Sequence, residues 1–251
     1  FTVAGIDVGN GTASNLTGSG TDYTATITPA ADGIVNIIIL PESAFDAAGN
    51  GNDPSNEFST EYDATRPVPT IASTTPDPTN TTFDVTITFT EDVTGFEVTD
   101  IDVTNGTADN FVSVSASEYT ATITPAADGD VIVLIPENVS QDAATNGNEA
   151  SNAFSVEYDT TPPQPPMLTH ISDYTCAGTT NQTGDNTLEI SGTAERESIV
   201  EIFQDGVSIG TVVTDAESGF FTFDYTSTTL ADGTYIFTAQ ATDTAVNTGN
   251  L

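Results

Sequence analysis

The chain has 251 residues, of which 37 are acidic and only two are basic, and its formal net charge is −35. A surface of this sign repels nucleic acid phosphates and anionic lipid headgroups, so we expect no nucleic acid partner. The longest strongly apolar run, at 37–40, is far too short to cross a bilayer, and no membrane insertion is expected in this chain. Unless a salty medium screens the charge, the composition favours bound cations.

An internal repeat divides the chain. The eleven residues YTATITPAADG occur at 23–33 and again at 119–129. The tripeptide Glu-Tyr-Asp at 61–63 returns 96 positions later, and a proline follows each copy within four residues. Because proline fixes φ and holds the preceding residue extended, we interpret both stretches as stiff junctions between modules. The predicted domains are 1–64, 65–161 and 162–251.

The second module shows the strand pattern most clearly. Residues 83–89 alternate strictly between apolar and polar, which predicts a half-buried antiparallel strand. A third strand is expected over 96–103, and turn clusters separate four further short apolar segments. Seven short strands without a helical period predict an all-β protein of tandem immunoglobulin-like Greek-key sandwiches. The first module would lack its first two strands, and the third, of unlike sequence, would lack its last strand.

Several segments resemble a known family. EDVTGFEVTDIDVTNGTADN and DAATNGNEASNAFSVEYDTTPP are similar to bacterial Ig-like repeats of giant surface adhesins, including biofilm-type adhesins exported by type I secretion with RTX tails. TLEISGTAERESIVEIFQDGVSIGTVVTDAESGFFTF resembles a second Ig-like repeat type of the same proteins. The resemblance covers essentially the whole chain. It implies a secreted, cell-surface location and a spacer role, and it does not specify a ligand.

Acidic and amide side chains are predicted to converge at the two junctions. In a seven-strand sandwich, the loops after the second and sixth strands share the pole where the chain enters, beside the incoming linker. Hard cations such as Ca²⁺ take six to eight oxygen ligands in irregular geometry. We therefore expect Ca²⁺ as the cofactor. The predicted ligands are Asp63, Glu91, Asp92, Asp142 and Asn146 at the first junction, and Glu157, Asp159, Glu195, Asp243 and Asn247 at the second.

Two alternatives to these calcium sites exist. A transition-metal site is disfavoured because His170 and Cys176 are single residues of their types, and Cys176 has no partner for an intramolecular disulfide. Each acidic loop has a simpler interpretation as a solvated turn, since Asp, Asn and Gly are favoured there for local hydrogen bonds. For acids at the opposite pole, such as Asp77 and Asp128, both interpretations stay open.

The sequence predicts a non-enzymatic, extracellular structural protein. Its modules would form an extension region that holds a distant adhesive tip away from the cell, and Ca²⁺ would align neighbouring modules of the same long chain. One alternative is a filament or surface-layer subunit that self-associates by strand exchange, since open sheet edges invite strand addition. Another is a ligand-binding Ig-like module, although its loops hold few aromatic residues.

Overall fold

The computed structural model describes residues 1–172 and 183–251, and Cys176 lies outside this part of the chain. The described residues form β-strands in three successive modules, with short 3₁₀ turns at Val3–Gly5 and Val98–Asp100. The predicted all-β class is therefore confirmed. Within the same described ranges, no helix has the length and apolar character needed to cross a membrane.

The second module is a seven-strand sandwich. One sheet has the order β6-β7-β10-β9 and the other has the order β12-β11-β8, which is the arrangement of constant-type immunoglobulin domains. Its strands are β6 (Pro69–Ala72), β7 (Phe83–Phe89), β8 (Asp102–Thr104), β9 (Gly106–Ser113), β10 (Glu118–Pro125), β11 (Gly129–Leu134) and β12 (Phe154–Tyr158).

The alternating pattern of β7 produces the core of this module. Phe83, Val85, Ile87 and Phe89 are all buried, and the intervening polar side chains point away from the core. Strand β7 pairs antiparallel with β10, which places Ile87 opposite Tyr119 and Phe83 opposite Ile123. Residues two positions apart share one face of a strand, so the two strands present a common apolar face to the second sheet.

The third strand of this module is shorter than predicted. Residues Val98–Asp100 form a 3₁₀ turn, and β8 begins only at Asp102. The cause is a reciprocal cap: the backbone N–H of Glu97 donates to Asp100 Oδ2 at 2.8 Å, and the Glu97 side chain accepts from the Asp100 backbone. Such a capping box stabilises a helical turn against an extended strand.

The first module consists of two smaller sheets, β1-β4-β5 and β2-β3. Its strands β1 to β5 correspond to β8 to β12 of the second module. An apolar cleft of about 540 Å³ opens between its sheets and is lined by residues that include Phe1, Leu16, Tyr23 and Ile37. The strands are β1 (Ile6–Gly9), β2 (Gly11–Ser19), β3 (Asp22–Pro29), β4 (Gly33–Ile39) and β5 (Phe58–Tyr62).

The third module packs sheet β13-β14-β17 against sheet β16-β15-β18. Leu188, Ile190, Val200, Ile202 and Phe221 are buried between them. Strand β18 is the last strand in the described residues. The strands are β13 (Met167–Ile171), β14 (Leu188–Thr193), β15 (Ile199–Gln204), β16 (Val207–Val213), β17 (Phe220–Tyr225) and β18 (Phe237–Thr242).

Candidate metal sites at the two junctions

Three carboxylates meet at the first junction. Asp63 follows β5, Glu91 lies in the loop after β7, and Asp142 lies in the loop after β11. One oxygen from each carboxylate lies within 4.8 Å of the other two. Asp142 is 4% exposed, so this group of charges is partly removed from water. The predicted convergence of the linker with these two loops is therefore present in the structure.

The electrostatics of this group oppose full ionisation. Burial, together with the negative charges of Asp142, Asp63 and Asp32, raises the pKa of Glu91. Burial alone would also raise the pKa of Asp142, but hydrogen bonds from Asn146 and from backbone N–H groups outweigh it and leave that pKa below its usual value. A cation placed between these oxygens would offset the repulsion that Glu91 experiences.

Asn146 ties the loop to the incoming linker. Its side-chain amide donates to Asp142 Oδ2 at 2.8 Å and to the backbone carbonyl of Asp63 at 3.1 Å. Its backbone N–H donates to Asp142 Oδ1 at 2.8 Å. Both carboxylate oxygens of Asp142 therefore accept hydrogen bonds within the loop.

The second junction brings corresponding residues of a different sequence near one another, but among the described residues only the three carboxylates of the first junction have oxygens that all lie within 4.8 Å of one another. Burial, followed by the charges of Asp243 and Asp159, raises the pKa of Glu195. Asp243 is 6% exposed, and its Oδ1 accepts a 2.7 Å hydrogen bond from the backbone N–H of Asn247. Its Oδ2 is buried and has no hydrogen-bond partner among the described residues. A buried carboxylate oxygen without a donor is costly, and a metal ion is one group that would satisfy it.

Two of the predicted ligands lie apart from these groups. Asp92 is exposed, and its charge acts on Tyr119, where burial and Asp92 together raise the tyrosine pKa. Glu157 is exposed on β12, where it faces Asp130 of β11, and its charge is not among those that shift the pKa of Glu195. Glu157 lies within the strand, where its carbonyl accepts from the backbone N–H of Thr79, whereas Asp159 lies beyond the end of the strand.

Asp128, one of the opposite-pole acids, holds the second linker by hydrogen bonds. It accepts from the backbone N–H of Thr160 at 2.9 Å and from the hydroxyls of Thr160 and Thr161 at 2.7 and 2.6 Å. These bonds lower the pKa of Asp128. Asp32 accepts in the same way from Ala64 and Thr65 at the first linker. Asp128 therefore fixes the path of the chain as it leaves the second module.

Asp77, another opposite-pole acid, also accepts from the backbone. Its Oδ1 receives a 2.9 Å hydrogen bond from the N–H of Glu157. This contact joins the turn between β6 and β7 to the end of β12. The Asp77 carboxylate therefore accepts a hydrogen bond from a strand and not from its own turn, which a simple solvated turn would not require.

Arg66 is a residue whose role sequence reasoning missed. Its Nε donates to the carbonyl of Gly147 at 2.6 Å, and its Nη2 donates to Asn148 O and to Asn138 Oδ1, both at 2.7 Å. It also pairs with Glu149 at 3.4 Å. The planar guanidinium suits several acceptors at once, so Arg66 fastens the linker to the loop that carries Asp142.

Asn148 was also missed, and it organises the same loop from inside. It is fully buried, and its Oδ1 accepts from the backbone N–H groups of Val139 and Ser140 at 2.9 and 2.8 Å. Its amide donates to the carbonyls of Pro136 and Glu149 at 2.8 and 2.6 Å. The internal repeat could have identified Asn148, because Asn52 occupies the equivalent position in the first module and makes the same pattern of hydrogen bonds.

The architecture defines a class of protein: a tandem array of immunoglobulin-like sandwiches joined by short acidic junctions. Two family models, both described as bacterial Ig-like domain, match the chain, one over residues 1–62 and again over 63–158, and the other over 161–251. The chain therefore belongs to the bacterial Ig-like domain families, which confirms the resemblance seen in the sequence.

Two solved structures are similar over most of this chain. Invasin, a bacterial integrin-binding protein, aligns over 94% of this chain at 12% identity with a TM-score of 0.33. A tetra-tandem repeat from the extending region of a large adhesion protein aligns over 97% at 20% identity with a TM-score of 0.31. The chain spans 49% and 64% of the lengths of these two structures. A comparison with curated proteins found no match.

Proposed function

We propose that this chain is part of the extension region of a bacterial cell-surface adhesin, and that Ca²⁺ aligns its Ig-like modules at the two junctions. In this role it is an extracellular, non-enzymatic spacer. Membership in the bacterial Ig-like families supports the spacer role. One observation carries the calcium proposal. A linker aspartate, a loop glutamate and a buried loop aspartate occur at both junctions, although the modules that follow the junctions belong to two different families.

The chemistry of the donor groups fits a hard cation. Both junctions offer carboxylate and amide oxygens, and neither offers imidazole or thiolate. The orphaned Asp243 Oδ2 and the raised pKa of Glu91 and of Glu195 are two independent signs of unbalanced negative charge. Without a cation, repulsion among these groups favours a bent junction. With Ca²⁺ bound, the same groups are bridged and the neighbouring modules are held in line.

Small-angle X-ray scattering of the full chain in Ca²⁺ and then in chelator tests this proposal. We expect the maximum dimension to fall in chelator, and we expect the double variant Glu91→Gln, Glu195→Gln to show a smaller change because each site loses a charge. Glu189→Gln, an exposed substitution on β14, is the matched control and should behave like the parent chain. An identical maximum dimension of the parent chain in both conditions would contradict alignment by calcium.

A specific observation favours one second candidate, assembly by strand exchange. Among the described residues strand β3 pairs with β2 alone, and its other edge lies beside the apolar cleft of the first module. An open edge next to an apolar face can accept a strand from another chain. Light scattering coupled to size exclusion distinguishes the two candidates, since a spacer is expected to be a monomer and strand exchange would give concentration-dependent oligomers.

A further inference from the structure

Three copies of one loop occur in the chain, each with the pattern Asp-x-Ala-x-Asn, at 46–50, 142–146 and 243–247. In every copy the aspartate Oδ1 accepts the backbone N–H of the asparagine, at 2.9, 2.8 and 2.7 Å respectively. The fourth residue is left-handed in each, with φ of 86° at Gly49, 72° at Thr145 and 71° at Val246. The three loops therefore share one backbone conformation.

The asparagine side chains differ between the copies. Asn50 and Asn146 donate their amide N–H to the Oδ2 of the loop aspartate, at 2.9 and 2.8 Å. Asn247 donates to the carbonyl of Asp159 at 2.8 Å, as Asn146 does to the carbonyl of Asp63 at 3.1 Å, but it makes no hydrogen bond to Asp243 Oδ2. Consequently Asp243 Oδ2 is the one loop-aspartate Oδ2 of the three that lacks a donor among the described residues.

The difference coincides with a contact from the preceding module. Asn80, in the turn between β6 and β7, donates its amide to Asn247 Oδ1 at 3.0 Å. This donor holds the amide oxygen of Asn247, and the N–H₂ group on the opposite side of the amide bonds the Asp159 carbonyl alone. Among the described residues, the amide oxygens of Asn50 and Asn146 have no corresponding contact with an asparagine of another module.

Asn80 is itself held in place. The adjacent Thr79 is 5% exposed, its backbone N–H donates to Glu157 O at 2.9 Å, and its carbonyl accepts from the N–H of Asp159 at 3.0 Å. The turn that carries Asn80 is thus attached to the same segment that supplies Asp159. The position of Asn80 relative to the second junction is fixed by the fold of the second module.

We propose that Asn80 is a positioning residue for the cation site at the second junction: by holding the Asn247 amide, it keeps Asp243 Oδ2 free to bind a divalent cation. This inference rests on the proposed calcium function and adds a residue of the second module to the site of the third. At the first junction the corresponding oxygen, Asp142 Oδ2, accepts a hydrogen bond from Asn146.

The test is a Ca²⁺ titration of the full chain, followed by NMR signals of residues at each junction. Asn80→Ala allows Asn247 to donate to Asp243 Oδ2, as Asn146 does to Asp142, so we expect affinity at the second junction to fall about tenfold, the equivalent of one hydrogen bond to a charged group. Affinity at the first junction and the unfolding temperature in chelator should not change, and both are readouts that separate positioning from general destabilisation.

Two further variants complete the design. Asn152→Ala removes an exposed asparagine of the same module and should leave both affinities unchanged. Asn80→Gln keeps an amide donor and should recover part of the lost affinity. If the parent chain binds Ca²⁺ and the Asn80→Ala variant binds it with equal affinity, the proposed role of Asn80 is overturned, but the proposed function is not. Absence of calcium binding at both junctions of the parent chain would overturn the proposed function and this inference with it.

Discussion

The first and second modules have nearly the same repeat sequence and bury it very differently. Tyr119 is 5% exposed, whereas Tyr23, its counterpart in the identical eleven residues, is 39% exposed. Ile123 is fully buried, while Ile27 at the same repeat position is only half-buried. Strand β10 pairs with β7 in the second module, whereas no strand among the described residues pairs with the corresponding edge of β3. Identical strands thus differ in burial because burial depends on the neighbouring strand.

The largest expected difference between the two modules is in their cores. Ile123→Ala removes a fully buried side chain, and we expect it to lower the stability of the second module by about 3–4 kcal/mol. Ile27→Ala should cost the first module about 1 kcal/mol, since water already reaches that site. Hydrogen exchange during denaturant unfolding measures each module separately. Equal losses would show that the cleft of the first module is closed in solution.

A smaller difference is expected at the buried loop asparagines. Asn148→Ala leaves the buried N–H groups of Val139 and Ser140 without an acceptor, which should cost the second module about 2–3 kcal/mol. Asn52→Ala removes the same bonds from a more exposed loop, where water can replace them, and should cost about 1 kcal/mol or less. The same exchange measurement applies, and a larger loss for Asn52→Ala would contradict this account.

The smallest expected effect is a pH dependence of stability that arises at the first junction, where carboxylates of the linker and of two loops meet. The pKa of Glu91 is raised in the folded chain, so the folded state holds this proton more tightly than the unfolded state. In chelator, stability should therefore fall as pH rises from the ordinary glutamate range through the raised pKa of Glu91. Glu91→Gln should reduce that slope, and the raised pKa of Glu195 should account for what remains.

Thermal unfolding in chelator at a series of pH values measures this slope, and carboxyl NMR signals report the titration of Glu91 itself. The loop at 46–50 is a natural control, because hydrogen bonds lower the pKa of Asp46 and no carboxylate is among the causes of its shift. A slope of unchanged size in Glu91→Gln would assign the effect to other groups.

Much of the fold followed from residue patterns. Alternation over 83–89 identified the central strand, and the repeated Glu-Tyr-Asp tripeptide located both junctions. Strand order then brought Asp63, Glu91 and Asp142 to one pole, because loops joining opposite sheets of a sandwich must share an end. These features depend on local periodicity and on topology, both of which a sequence contains.

Other features depend on contacts between residues that are far apart in the sequence, and a local residue pattern does not specify such contacts. Arg66 binds residues more than 70 positions away, and Asn80 contacts Asn247 across 167 positions. The predictions for Asp92 and Glu157 rested on their closeness in sequence to Glu91 and Asp159, and closeness in sequence does not determine which way a side chain faces. A composition rich in Asp and Asn offers many candidates for each role, and only the folded geometry distinguishes among them.

The short parallel bridge between Thr79 and Tyr158 has a mechanical consequence. Tension on the array enters the second module at Arg66 and leaves it at Asp159, and the bridge couples the last strand to the turn beside β6. Through the Asn80–Asn247 contact, this turn also reaches the third module. A pulling force therefore has two routes across the second junction, the covalent linker and a lateral hydrogen-bonded path, and the lateral path would be the first to break under load.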